Sequence, residues 1–487
     1  MSRKKESTVV TRGEGTPKTE AGDVRDAPRL WRISRHTNAR LTNQEADSIL
    51  AEGMRILRGI DGSGDVSCPL DIRRDGNVST FSVGNGIINT TADWLAVCNT
   101  GGRVHVVNQI NICGGQPGSS IIGCSSFNGD CMVVVRTDAD IEAILWMHEY
   151  GHNQGLPDFY VDGWVMDGMI SPNDRKVDQS DCRHYQSPER FFAVVSEPRF
   201  PTPRAKNVRD FVHQIFIHGV PHERASEFSS GDVPALLEML ADPSEQRYWT
   251  NIVVTLCIIG DHQALEPLIN FLTSGSGTLS RHEYDAKSAV IMNLGHLLKG
   301  GKIREARAAF DFLKEGLEPS VWGKRINWTN PYGLTPEQQN DQLAKLVIWS
   351  LAVSGEAESG EALRALQSST RSAELNAVLN EAIAYYQKTA SAPAKAGVSG
   401  TPTLESLSGA AERVLDKVLT KVTQDGGRPS AGAEDKRLFF PDGIELIDVE
   451  FGLGIDTSKP NVSVKVHVRG PNAKPGLSNS GTTDSEA

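Results

Sequence analysis

Apolar side chains first recur at regular spacing after Leu41. Ala46, Ile49, Leu50, Met54 and Leu57 follow the three-and-four spacing of one helix face. Thr42 and Glu45 form a T-x-x-E capping box just ahead of them, so an amphipathic helix is predicted to begin there and to end in the turn DGSGD, residues 61–65. Short strand-like runs follow at Leu70–Arg73, Thr80–Val83, Arg103–Ile112 (RVHVVNQINI) and Met132–Val135, separated by glycine-rich breaks. IEAILWMHEYGH then reads as a second helix, N-capped by Thr137 or Asp138 and stopping near Gly155. Residues 1–30 are polar and read as a disordered leader, with order starting near Trp31. Helix, strands and helix predict an α+β (α/β) domain over residues 31–200.

The texture changes after Pro203. Helices are predicted at Val208–Val220, Asp232–Ala241, Ser244–Ile259, Gln263–Thr273, Tyr284–Leu298, Ile303–Leu313, Thr335–Val353, Ser359–Leu366 and Ser372–Tyr386. Paired helices joined by short Gly, Asp or Pro turns describe an all-α solenoid over 205–390. WTNIVVTLCIIGDHQALEPLINFL resembles a HEAT-like repeat, with a Gly-Asp turn and Pro267 near the start of its second helix. Residues 391–437 read as a linker carrying one helix, Leu404–Val422. Alternating runs at 438–470 predict a small β segment, and 471–487 a disordered tail.

A chain of 487 residues allows two to four domains. Its net charge of −11 argues against general nucleic-acid binding, which needs a basic surface. No apolar run approaches the ~20 residues that span a bilayer, so no membrane partner is expected. The basic start MSRKKESTVVTRGEG is not followed by an apolar stretch, unlike a secretory signal. The cysteines pull the other way. Six of seven (Cys68, Cys98, Cys113, Cys124, Cys131, Cys182) cluster in one domain, which suggests disulfides and secretion, while Cys257 lies apart. At least one disulfide is expected, with Cys257 reduced and buried; localisation stays open between secretion and the cytoplasm.

One motif carries chemistry. His148-Glu149-Tyr150-Gly151-His152 places two imidazoles four residues apart on one helix face, where they can hold one metal ion, with Glu149 beside them as general base. Two imidazoles leave a catalytic zinc one protein ligand short. Gly155 can take the positive φ that turns the chain sharply, which can bring Asp158 back under the ion. His184 reads as a surface or supporting residue. Trp146 and Trp164 read as core, as do Met54, Met239 and Met292.

The extended pattern H-E-x-x-H-x-x-G-x-x-D resembles the metzincin zinc peptidases, and more narrowly their snapalysin-like minority with Asp in the third ligand position. The resemblance covers residues 35–195, about a third of the chain. It implies one catalytic Zn2+ on His148, His152 and Asp158, with Glu149 as base. It also implies a methionine in a tight turn beneath the metal, Met166 in WVMDGM, with Met169 the second choice. Asp167-Gly168 follows Met166 where many metzincins place Tyr or Pro, which leaves Tyr160 and Tyr185 both open as substrate-stabilising groups. The expected activity is zinc-dependent hydrolysis of protein or peptide bonds, with the helical repeats binding substrate or a protein partner. The alternative is an α-solenoid interaction scaffold whose metal domain is not catalytic.

Overall fold

The computed structural model describes residues 28–60, 65–158, 161–186, 205, 207–298, 304–368 and 372–390, and the backbone of four strands between 430 and 469. The leader, the 404–422 helix, Tyr160 and the tail lie outside the described residues. Helices and mixed sheets coexist, as the α+β reading requires.

The central sheet has five strands in the order Ser79–Phe81, Ile33–His36, Val104–Val107, Met132–Val135, Gly123–Ser125. The first four are mutually parallel and Gly123–Ser125 runs antiparallel along the edge. Parallel strands are stable when covered on both faces, and the side chains sort accordingly. Val104, Val106, Met132 and Val134 enter one apolar cluster with α1 (Asn43–Arg58) and α3 (Glu142–Asn153). Val107, Val133 and Val135 point the other way, into a cluster that includes α2 (Thr91–Cys98) and the helices beyond residue 207.

Several predicted elements appear as expected. Both hydrogen bonds of the Thr42–Glu45 capping box are made at the start of α1. Met132–Val135 is a strand with the predicted bounds. Glu445–Gly454 and Asn461–Arg469 form an antiparallel pair. Other elements differ. Arg103–Ile112 is two strands, because Asn108 turns away to bond Gly86 and Gln109–Cys113 joins a second, three-stranded sheet. α3 has no side-chain cap: Thr137 is not used, and Asp138 contributes only its backbone carbonyl, its carboxylate pairing with Arg247. Val208–Val220 is not one helix. It is helical over Val208–Val212 and then extends into the strand Ile215–Phe216, which pairs antiparallel with Met169–Ile170.

In the helical part, Trp249–Ile259 packs on Arg281–Asn293, which packs on Pro336–Ser354, which packs on Ala373–Ala390. The apolar cluster on the back of the sheet continues through these helices to Tyr386, so the core has no break near residue 200. A buried polar knot reinforces the join. The Asn89 and Gln342 side-chain amides bond each other at 2.8 and 2.9 Å, Asn111 donates to Asn89 Oδ1, and the Trp349 indole donates to the Asn89 carbonyl. Thr91, at the start of α2, donates to Glu381. Among the described residues, no helix is long and apolar enough to cross a membrane.

Asn89→Ala leaves the Gln342 amide and the Asn111 donor unpaired in a dry interior. The expected loss is about 2–4 kcal/mol, read as a lower midpoint in urea unfolding. Because the knot joins both parts, near-UV and far-UV signals should shift together.

Candidate metal centre

α3 is buried along its whole length, from Glu142 to Asn153. Its start is fixed by Glu142, which pairs with Arg136 at 2.5 Å. Its end is fixed by Gly155, whose φ of +83° lets the chain reverse, with Leu156 N donating to Gly151 O. The reversal carries Asp158 back toward the two histidines, as the spacing predicts. Asp158 Oδ1 lies 3.1 Å from His148 Nε2 and 3.4 Å from His152 Nε2.

A fourth group joins them. His218 comes from the strand-like segment after Phe216. Its Nε2 lies 3.2 Å from His152 Nε2 and 3.6 Å from Asp158 Oδ1. The ligating atoms of His148, His152, Asp158 and His218 all fall within 4.8 Å of one another. Sequence reasoning missed His218 because Val208, Phe211, Val212 and Ile215 keep helical spacing through the break at His213. The β-branched pair flanking Phe216, followed by His-Gly, was the available signal.

Each imidazole is held in the tautomer a metal needs. His148 Nδ1 donates to Val165 O at 3.0 Å, His152 Nδ1 to Leu156 O at 2.7 Å, and His218 Nδ1 to Gly123 O at 3.2 Å. A carbonyl oxygen can only accept, so each Nδ1 carries a proton and each Nε2 is the ring nitrogen left to face Asp158 and a metal ion. His148 Nε2 and Asp158 Oδ1 are buried and in close contact, and both Glu149 oxygens lack a hydrogen-bond partner among the described residues. Nitrogen and oxygen atoms that converge this closely need positive charge between them, a proton or a metal ion. Tetrahedral bonds of about 2.0–2.1 Å put ligand atoms roughly 3.3–3.4 Å apart, close to the spacings seen here. The residues present therefore fit a small divalent ion.

The electrostatics agree. Burial lowers the pKa of His148. Burial also opposes charge on His218, but Asp158 and Glu149 outweigh it and raise the group to about 9. Burial would raise Asp158, yet its three imidazole neighbours hold it far below the usual carboxylate range. Positive charge is favoured at this point in the fold.

Two glycines shape the floor and roof. A Cβ at Gly151 would stand 2.2 Å from Met166 Sδ, so only glycine lets Met166 lie against α3 between the two histidines. Met166 sits in a turn closed by Asp167 N to Trp164 O, next to the Val165 carbonyl that orients His148. Met169 packs elsewhere, in the strand facing Phe216. At Gly123 a Cβ would come within 2.1 Å of Glu149 Oε1, so the edge strand passes directly over the carboxylate.

The remaining candidates have other places. Tyr185 is fully buried, donating to Met147 O at 3.0 Å and touching Met166 Sδ, and so braces the floor; substrate stabilisation is not its position. His184 bonds Gln154 O at the end of α3. Asp162, Asp167 and Asp174 form a separate carboxylate group; Asp174 accepts from Gly163 N and shapes the loop that carries Met166.

Three cysteine pairs stand at disulfide distance: Cys68–Cys182, Cys98–Cys131 and Cys113–Cys124, with Cα separations of 5.3, 5.7 and 5.7 Å. Cys113–Cys124 ties the edge strand to its neighbouring sheet one residue from Gly123. Cys257 is free and buried, as expected. No protein-family model, curated protein or solved structure matches the chain.

His148→Ala and His152→Ala should each lower metal content to background after dialysis against zinc, measured by elemental analysis. Asp158→Ala should weaken binding at least about tenfold, while Asp162→Ala, in the separate carboxylate group, should leave it unchanged.

Proposed function

We propose that the protein is a zinc-dependent endopeptidase of metzincin-like type. The observation that carries this reading is Glu149. It is a fully buried carboxylate without a partner among the described residues, placed beside converging imidazole Nε2 atoms. Burying an unpaired carboxylate is costly, and a general base is a reason to keep one. Zinc is the ion proposed because imidazole Nε2 atoms with a carboxylate, at these spacings, suit it. When bound, it would supply Lewis-acid polarisation of the scissile carbonyl and acidify the attacking water.

The rest falls to the chain's own residues. His148, His152 and Asp158 would hold the ion, and Val165 O and Leu156 O keep both imidazoles oriented. Glu149 accepts the proton of the attacking water at its carboxylate and later delivers it to the leaving amine. Met166 fills the space below α3 and keeps the helix from settling. The helices beyond residue 207 are read as a HEAT-like solenoid that presents substrate or a protein partner. Their successive packing supports that reading. The three cysteine pairs support an oxidising, secreted setting.

A second reading is favoured by His218. Three imidazoles and a carboxylate complete a four-coordinate shell, as in structural zinc sites. On that reading the chain is an interaction scaffold with a non-catalytic metal domain.

Digestion of an unfolded protein such as casein, with and without a chelator, separates the two. Glu149→Gln should retain zinc and lose at least roughly a hundredfold in rate. Full activity in Glu149→Gln would remove Glu149 from the mechanism.

A further inference from the structure

The segment that brings His218 is held like a bound peptide. Ile215–Phe216 pairs antiparallel with Met169–Ile170, and Ile217 N donates to Gly168 O at 3.2 Å. On its other side, Ile217 O accepts from Ile122 N at 2.9 Å, and His218 forms an antiparallel bridge with Ile121. The segment is thus bonded along both edges, between the Met166 loop and the strand that passes over Glu149. An extended peptide docks on an open sheet edge through the same main-chain bonds. Ile217 is fully buried in the gap. Gly219 then turns away with a φ of +85°, so close to Ser119 that a Cβ would stand 2.6 Å from its carbonyl oxygen.

Two consequences follow for any ion in the site. His218 fills the position that a catalytic zinc leaves open for water. The same strand sets His218 within electrostatic reach of Glu149, and Glu149 is fully buried. We propose that His218 is a fourth metal-holding residue and that Ile215–Gly219 is an internal peptide, so that the folded chain is latent until this strand leaves. The first part stands on the geometry alone; the latency rests on the peptidase reading.

The test uses the full chain in four forms: wild type, His218→Ala, Gly219→Ala, and His218→Ala combined with Glu149→Gln. Zinc affinity is read by competition with a chromophoric chelator, casein hydrolysis by released peptide, and folding by circular dichroism. His218→Ala should weaken zinc binding at least about tenfold and raise hydrolysis at least about tenfold over wild type. Gly219→Ala keeps the imidazole but cannot sit against Ser119, so hydrolysis should rise there too. The combined variant should be inert. Unchanged zinc affinity in folded His218→Ala overturns the fourth ligand. Wild-type hydrolysis equal to that of both variants overturns latency and leaves the peptidase reading standing. Weakened zinc binding with no hydrolysis in any form overturns latency together with the peptidase reading, and assigns His218 to a closed structural site.

Discussion

The site depends on one constraint: three imidazoles whose Nδ1 protons are already committed to backbone carbonyls. Val165 O, Leu156 O and Gly123 O belong to three separate stretches of chain. Each can reach its histidine only if the turn after α3, the Met166 loop and the edge strand are all in place. With those bonds made, the Nε2 atoms have no freedom to turn away from Asp158. A protein without an ion at that point would relax by flipping a ring or protonating it. Locking the rings from behind closes off the flip, though not protonation at Nε2, and keeps the three rings aimed at one point, ready-made for a cation.

Holding α3 so completely buried has its own physical demands. A helix wrapped on all sides needs close approach, and close approach needs glycine at the contacts. Gly151 admits Met166 and Gly123 admits Glu149. Both faces of the sheet must also be covered, and the back face is closed by helices that begin after residue 207. The sheet-bearing part and the helical part therefore share one core, joined by Asn89, Gln342 and Trp349. The segment carrying His218 belongs to that joint, which explains why the metal site draws a residue from so far along the chain.

Local signals in the sequence were the reliable ones. The Thr42–Glu45 cap, the Met132–Val135 run, the i, i+4 histidines and the Gly155 turn each depend on neighbours a few residues away, and each stands where the pattern put it. Asp158 was legible because a single glycine sets its return path. The misses share another cause. RVHVVNQINI keeps its alternation through Asn108, although the chain changes sheets there. Val208–Ile215 keeps helical spacing although its end is recruited as a strand between two loops. Thr91–Cys98 is helical under a Thr90–Asp93 capping box, with an apolar face too short to show a period. In each case the deciding partner lies far away: Gly86 for Asn108, Met169–Ile170 for Ile215–Phe216. Periodicity records what a segment could bury, not which surface is free to receive it.

The Cys113–Cys124 link has a further consequence. Gly123 stands beside one half of that cystine, its carbonyl orients His218, and its missing side chain makes room for Glu149. Reduction would release the edge strand on that side and let the roof over the carboxylate shift, with every metal ligand still present. Thiol reagents would then act on this protein in two ways that look alike: by competing for the ion, and by slackening the strand. A non-chelating phosphine reductant separates them. The redox state of the surroundings thus bears on the geometry of the candidate metal centre as well as on the durability of the fold.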